Sequence, residues 1–369
     1  MKITCLKNDL ERALNTVQKA VSKNQAVPAI ENVLFEARGD ELFIKATNIE
    51  VFVEYKITVA LEKDGEFLIP VDILLQSIKN SNTQNKKITL ELKKNTLHIK
   101  DGNSNFTIKT VNKEDFPIIK KPESLKNTKN TIDKDVFLKG VKSVYLFSSN
   151  MLVKPELSSV YIHKEDDNLV YVSTDQFRLA EKKIKHNSNE NFQNILIPIK
   201  NINIIIKILE STEEQTLRFV SEENQLSFES DNLFVSSRIL DLSFPDYKNI
   251  IPKEYKTKLI VLKEDFLNSL KKTALFTDKF GKTEISLNNK KILLKTENKD
   301  IGEIEEQIDV VQEGEDNFKL NINNKYLQEG VLAINSDSVE LWFSKEGSPL
   351  LLKGVGDDSF VYILMPMNN

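Results

Sequence analysis

Apolar positions along this chain keep two alternating periods. Near the N-terminus Leu10, Leu14, Val17 and Val21 recur at spacings of three and four, one stripe on a helix. Asn8, with Glu11 three residues on, has the form of a capping box that would start it. The same pattern predicts helices over about 134–147, with Phe137, Val141 and Val144 inward, and about 265–276, with Phe266, Leu270 and Ala274 inward. After each comes period-two alternation broken by turn residues, as in Val33-Leu34-Phe35-Glu36 and Glu41-Leu42-Phe43-Ile44-Lys45 around Arg38-Gly39-Asp40. Second helices are expected over 71–80, 199–210 and 322–334, followed by further strands such as Ile88-Thr89-Leu90-Glu91-Leu92 and Thr96-Leu97-His98-Ile99-Lys100.

Short markers repeat at a nearly constant step. Phe67-Leu68-Ile69-Pro70 opens one helical stretch, Ile195-Leu196-Ile197-Pro198 another 128 residues later, and Phe318-Lys319-Leu320-Asn321 a third 123 residues beyond that. Lys45-Ala46-Thr47-Asn48, Val172-Ser173-Thr174-Asp175 and Leu294-Lys295-Thr296-Glu297 keep the same step. Two marker sets with one spacing predict three tandem copies of an α+β domain, two helices against mostly antiparallel sheet in each. Prolines in Phe116-Pro117-Ile118-Ile119 and from Phe244-Pro245-Asp246-Tyr247 to Pro252 support extended connections. The copies are therefore placed at 1–125, 126–253 and 254–369.

Composition adds little until charge is mapped onto the helices. The 369 residues are 40% apolar and 29% charged, ordinary for a globular chain, and 51 basic against 55 acidic residues leave a net −4. The six helical windows, however, hold 12 Lys or Arg against 7 Asp or Glu, so the acidic excess lies elsewhere. At about 100° per residue, Arg12, Lys19 and Lys23 fall opposite the first apolar stripe, as Lys139, Lys142 and Lys272 fall opposite theirs. Lys79, Lys200 and Lys207 supply the basic charge of two further windows. A basic surface segregated on an acidic protein points to sequence-blind contact with a phosphate backbone.

Other chemistry is sparse. Cys5 is alone and reads as a small buried hydrophobe in a reducing compartment. Met1-Lys2-Ile3-Thr4-Cys5 lacks the apolar run of a signal peptide, and no stretch approaches the roughly 18 apolar residues of a membrane span, so a cytoplasmic protein is expected. No phosphate-cradling Gly-rich loop occurs, and His98, His163 and His186 show no metal-ligand spacing. Asp166-Asp167, Glu305-Glu306 and Asp357-Asp358 are read as solvated turn or linker residues. Neither a catalytic centre nor a metal or cofactor is expected.

Three segments carry more specific information: Thr174-Asp175-Gln176-Phe177-Arg178-Leu179-Ala180, Phe244-Pro245-Asp246-Tyr247 with Ile250-Ile251-Pro252 behind it, and Leu364-Met365-Pro366-Met367 near the C-terminus. In order and spacing they resemble the T-D-x-x-R-L-A element, the F-P-D-Y joint and the terminal M-P-M of the bacterial DNA polymerase III β subunit, the sliding-clamp family. The resemblance covers the whole chain. It implies a homodimeric ring of six similar domains through which double-stranded DNA threads without sequence preference. It also implies a hydrophobic cleft between the second and third domains. There short linear motifs of the replicative polymerase α subunit, the clamp loader, repair polymerases and mismatch-repair proteins would dock.

Carried over position by position, the deep pocket would include Leu157, Thr174, Gln176, Phe177, Arg178, Leu179, Pro245, Ile250, Ile363 and Met365. The adjoining groove would add Lys154, Tyr326, Pro349, Pro366 and Met367. Gln176-Phe177 departs from the commoner Gly-His type of pair at the rim, and Asn368-Asn369 replaces a usual basic terminus. For ring closure, Phe106 and Ile108 on an edge strand would meet Leu275 and Phe276 of the other protomer. In the loop Ser22-Lys23-Asn24-Gln25, Asn24 stands where the family carries an arginine toward DNA. Two other readings remain open at this point: a peptide-binding scaffold that does not encircle DNA, and a nuclease or hydrolase using scattered carboxylates.

Overall fold

One order of elements, a strand, a helix and then three strands, occurs six times among the described residues. The computed structural model describes all residues except 24–25, 81–85, 118, 150–152, 187–191, 223, 253, 316–317, 346 and 368–369. In the first module Lys2–Leu6 leads into the helix Lys7–Val17 and the strands Val33–Arg38, Glu41–Thr47 and Val51–Thr58. In the second, Gly65–Ile69 leads into Val71–Lys79 and the strands Lys87–Lys93, Thr96–Asp101 and Ser104–Lys109. The helices of the other four modules are Lys134–Val144, Ile199–Glu210, Lys263–Ala274 and Asn324–Ala333, so every expected helix is present.

Two local expectations are corrected. The Asn8–Glu11 capping box is absent, because Lys2–Leu6 runs straight into the helix at Lys7 and Leu6 takes the cap position with no side-chain bond. The Lys7 N–H goes instead to the Lys86 carbonyl at 2.8 Å, and its ammonium lies 3.2 Å from buried Asp101. Side-chain caps form elsewhere: Asp133 accepts from the N–H groups of Asp135 and Val136 at 2.8 and 3.0 Å, and Asn323 accepts from Tyr326 at 3.1 Å. The third marker is also misplaced by two residues. Leu320-Asn321-Ile322-Asn323 immediately precedes the helix at Asn324, so Asn323 stands where the other two markers have proline. A slip of two keeps every side chain on the same face of a strand, which is why alternation alone did not reveal it.

The chain divides into two compact units, Met1–Lys139 with Ser188–Asp241, and Gly140–Asn187 with Leu242–Asn369. In the first unit one antiparallel sheet runs Thr131–Asp133, Thr216–Glu222, Gln225–Glu229, Leu233–Arg238, Val51–Thr58, Glu41–Thr47, Val33–Arg38 and Gly65–Ile69. Its central joint, Leu233 opposite Tyr55 and Val235 opposite Val53, ties the first repeat to the second half of the central one. A second sheet ends in the edge strand Ser104–Lys109. Leu10, Ala13, Leu14 and Val17 are fully buried as their helix packs on Glu41–Thr47 and Val51–Thr58, each large side chain contributing about 1.5–3 kcal/mol.

In the second unit a sheet runs Ser159–Glu165, Asn168–Thr174, Arg178–Lys185, Asp357–Leu364, Leu350–Gly354, Ser338–Phe343, Thr257–Leu262 and Val311–Gly314. Here the joint between repeats is Arg178–Lys185 against Asp357–Leu364. A smaller sheet has Gly302–Asp309 at its edge. Glu305-Glu306 therefore lies in a strand rather than a turn, and Asp357-Asp358 begins one, while Asp166-Asp167 does occupy a turn.

Candidate functional site

The segment Thr174–Leu179 is shaped by turn chemistry. Thr174 Oγ1 donates to the Arg178 carbonyl at 2.7 Å and accepts from the Gln176 N–H at 3.2 Å. Asp175 Oδ1 accepts from the N–H groups of Phe177 and Arg178, both at 3.0 Å, and Gln176 takes a positive φ of 79°. This turn pushes Gln176 and Phe177 outward, leaving Phe177 58% exposed, and sends Arg178 and Leu179 inward. Arg178 Nε donates to Asp175 Oδ2 at 2.9 Å, and its guanidinium pairs with Glu329. It also lies 4.2 Å over the Tyr326 ring and 5.3 Å from that of Phe147. Burial opposes the charge, but Glu329 and Asp175 outweigh it and raise the pKa above the ordinary arginine value.

Beneath the turn, Leu179 pairs with Ile363 and Ile363 with Leu351. With Val170 and Val172 they form one buried apolar cluster, roofed by Tyr247 and edged by Phe244 and Ile251. Leu157, Thr174, Arg178, Leu179 and Ile363 are all buried, so they make floor and frame rather than open wall. The exposed or half-exposed members are Gln176, Phe177, Pro245, Ile250, Tyr326, Met365, Pro366 and Met367. The tail is strapped down: the Met365 N–H donates to the Phe177 carbonyl and the Met367 N–H to that of Asn321, each at 2.8 Å. Pro349 precedes Leu350, which pairs with Leu364 beside Met365. Lys154 is exposed on the turn before Ser159–Glu165, its carbonyl accepting from the Leu157 N–H at 3.0 Å. Glu329 and Phe147 were missed from the sequence, being 151 and 31 residues from the arginine they hold.

The basic positions differ in how strongly they are engaged. Arg12 pairs with Glu213 at 3.1 Å, Lys79 donates to Asn15 at 2.8 Å, and Lys272 pairs with Glu306 at 3.0 Å. Lys200 and Lys207, seven apart on one helix, are exposed opposite buried Ile202, Ile205 and Leu209. Lys23, Lys139 and Lys142 are exposed and Lys19 half-buried, while Asn24 lies outside the described residues. Phe106 and Ile108 do occupy an edge strand, but Ile108 is buried in its own sheet and Phe106 only half-buried. Leu275 is 72% exposed just beyond Lys263–Ala274, and Phe276 half-buried. Among the described residues, no group of three His, Cys, Asp or Glu could hold a metal ion, and no helix is long and apolar enough to cross a membrane.

Family models for the N-terminal, central and C-terminal domains of the DNA polymerase III beta subunit match residues 1–120, 131–246 and 248–368. A beta sliding clamp of Staphylococcus epidermidis is 24% identical over 379 residues, spanning 100% of this chain and 99% of the relative. The DNA polymerase sliding clamp of Bacillus subtilis superposes with a TM-score of 0.91 at 22% identity, covering 100% and 99% of the two chains. A Pseudomonas aeruginosa sliding clamp bound to griselimycin superposes with a TM-score of 0.90 at 22% identity, covering all of both chains.

Proposed function

Because the chain belongs to the DNA polymerase III beta-subunit family, we propose that it works as a sliding clamp, a non-catalytic ring that encircles duplex DNA and tethers proteins to it. The observation that carries this is the unbroken succession of three family domains over residues 1–368. Domain boundaries near 125 and 254 are proposed, supported by matches that end at 120 and 246 and resume at 131 and 248. Exposed lysines such as Lys200 and Lys207 support a DNA-facing helical surface. Such contacts are electrostatic and sequence-blind.

Ring closure follows from the strand edges. Within the chain, neighbouring repeats join edge to edge, Val51–Thr58 with Leu233–Arg238 and Arg178–Lys185 with Asp357–Leu364. The strands Ser104–Lys109 and Gly302–Asp309 end their sheets. Pairing one with the other in a second copy would close a head-to-tail dimer and cover both of these edges. Along that seam Phe106 and Ile108 of one copy are proposed to face Leu275 and Phe276 of the other, Leu275 being 72% exposed in the single chain.

The rim of Gln176, Phe177, Pro245, Ile250, Met365 and Met367 over the Leu179–Ile363 floor is the proposed docking cleft for short motifs of polymerase and clamp-loader subunits. A flexible Met-lined apolar surface suits several such peptides. The griselimycin-bound relative makes that compound a natural probe. Tethering raises effective concentration, so individually weak docking suffices. The place of work would be the nucleoid.

The test is retention on DNA after loading by a clamp loader. The chain should stay on nicked circular DNA and be lost on linearisation, and light scattering should give about 85 kDa, twice the 42.3 kDa chain. A monomer at micromolar concentration, or equal retention on linear DNA, would overturn the clamp.

A further inference from the structure

Resting on the cleft reading above, we propose that His163 and Glu181 are positioning residues that set the wall of the cleft by gripping Tyr247 of the connector. Tyr161 lies opposite Val172 and Val172 opposite Glu181; one step along, His163 lies opposite Val170. Alternate residues of a strand share a face, so His163 and Glu181 stand on the same face as Leu179 and Ile363. Beside the apolar cluster on that face, His163 is only 8% exposed and Glu181 4%. Two polar groups buried there cost free energy unless both are satisfied.

A single connector residue satisfies them. The Tyr247 hydroxyl, itself buried, donates to Glu181 Oε2 at 2.6 Å and lies 2.9 Å from His163 Nε2. A hydroxyl has one proton, and a carboxylate only accepts, so Nε2–H donates to the phenolic oxygen. The imidazole is gripped from its face as well: Tyr161 stacks on His163 at 4.9 Å, and Phe244 stacks on Tyr161 at 4.8 Å. The next connector residue, Lys248, pairs with Glu165 at 2.8 Å. Charges facing the network are Lys183, 3.7 Å from Glu181 and 3.3 Å from Glu165, and Lys248 itself.

Hydrophobic residues at 163 and 181 would bury the connector without specifying where along the face it sits. The hydroxyl–carboxylate–imidazole set favours one register, because sliding Tyr247 by one residue takes its hydroxyl away from both buried groups. Pro245 and Ile250, two residues before and three after, are thereby held at fixed places on the rim.

The experiment titrates griselimycin into the full-length protein by calorimetry, with dissociation rates by surface plasmon resonance. Tyr247→Phe keeps the ring and removes both hydrogen bonds, while Glu181→Leu removes the acceptor and Glu181→Gln restores one. Tyr247→Phe and Glu181→Leu should weaken binding about three- to tenfold, mainly through faster dissociation, and Glu181→Gln should stay within about twofold of wild type. Should Glu181→Leu fail to fold, Tyr247→Phe carries the same comparison. Tight binding by Tyr247→Phe, or equal losses for Glu181→Gln and Glu181→Leu, would overturn the positioning role alone. No binding by the wild-type chain would instead remove the cleft on which it rests.

Discussion

Gly330 sits inside the helix Asn324–Ala333 against the ring of Tyr362. A Cβ added there would come 2.9 Å from Tyr362 Cζ and nearer still to Cε1 and Cδ1, where ordinary carbon contacts are about 3.5–4.0 Å. The ring has nowhere to go. It is fully buried, meets Phe147 edge-on at 5.0 Å, and its hydroxyl is held by the Tyr326 carbonyl at 2.8 Å. Overpacking of this kind costs about 1–3 kcal/mol, and an immobile ring argues for the upper end. Alanine returns about 1 kcal/mol in helix propensity, so Gly330→Ala should destabilise by about 2 kcal/mol. Trp342, the single tryptophan, lies in the same unit, so its fluorescence during urea unfolding reads the effect directly. Adding Tyr362→Leu should recover part of the loss, giving a double-mutant coupling of about 1 kcal/mol or more. A Gly330→Ala protein as stable as wild type would refute the reasoning, because propensity would then have outweighed the clash.

Further outcomes follow from other parts of the molecule. Burial lowers the His163 pKa from its ordinary 6.5, with Lys248 adding in the same direction. The unfolded chain then protonates first, so stability is full above about 6.5 and is lost as pH falls through the folded pKa. His163→Gln should flatten that part of the urea-midpoint profile between about pH 7 and 5, and an unchanged slope would count against it; half-buried His186 contributes in the same sense. Replacing Lys200 and Lys207 together by alanine should lower the log–log salt slope for binding a short linear duplex by about 2, at roughly 0.9 per phosphate contact. An unchanged slope would take that helix off the DNA surface. Burial pushes the Cys5 thiol up to about 12, so iodoacetamide should label it only on unfolding, and labelling at native rates would contradict its place in the Lys2–Leu6 strand.

Local periodicity made the helices legible, and Ile199–Glu210 coincides with its expected span because Pro198 and the isoleucine stripe mark it unambiguously. The strands were legible as a class but not in their pairing. Nothing in Leu233–Arg238 announces Val51–Thr58 as its partner, since pairing between distant segments leaves no local pattern. The duplication inside each repeat was missed for a similar reason: Leu6 and Leu262 hold the cap positions that Pro70 and Pro198 hold elsewhere, so no shared marker survives. At the site, the resemblance supplied the turn around Arg178 and the tail, whereas the clasp of Glu329 and the Tyr247 network depend on side chains meeting across strands. The acidic pair Glu305-Glu306 looked solvated because an edge strand with one wet face is as polar as a linker.

The two long sheets cross the joints between repeats, and that separates the unit of inheritance from the unit of cooperativity. A gene built by duplication passes on whole repeats, but the folded chain should melt along its sheets. Substitutions in Arg178–Lys185 will therefore drift in step with Asp357–Leu364 of the third repeat, while those in Leu233–Arg238 answer to the first. The central repeat carries two histories of constraint in one stretch of sequence, and a comparison of many such chains should show its halves coevolving with different neighbours.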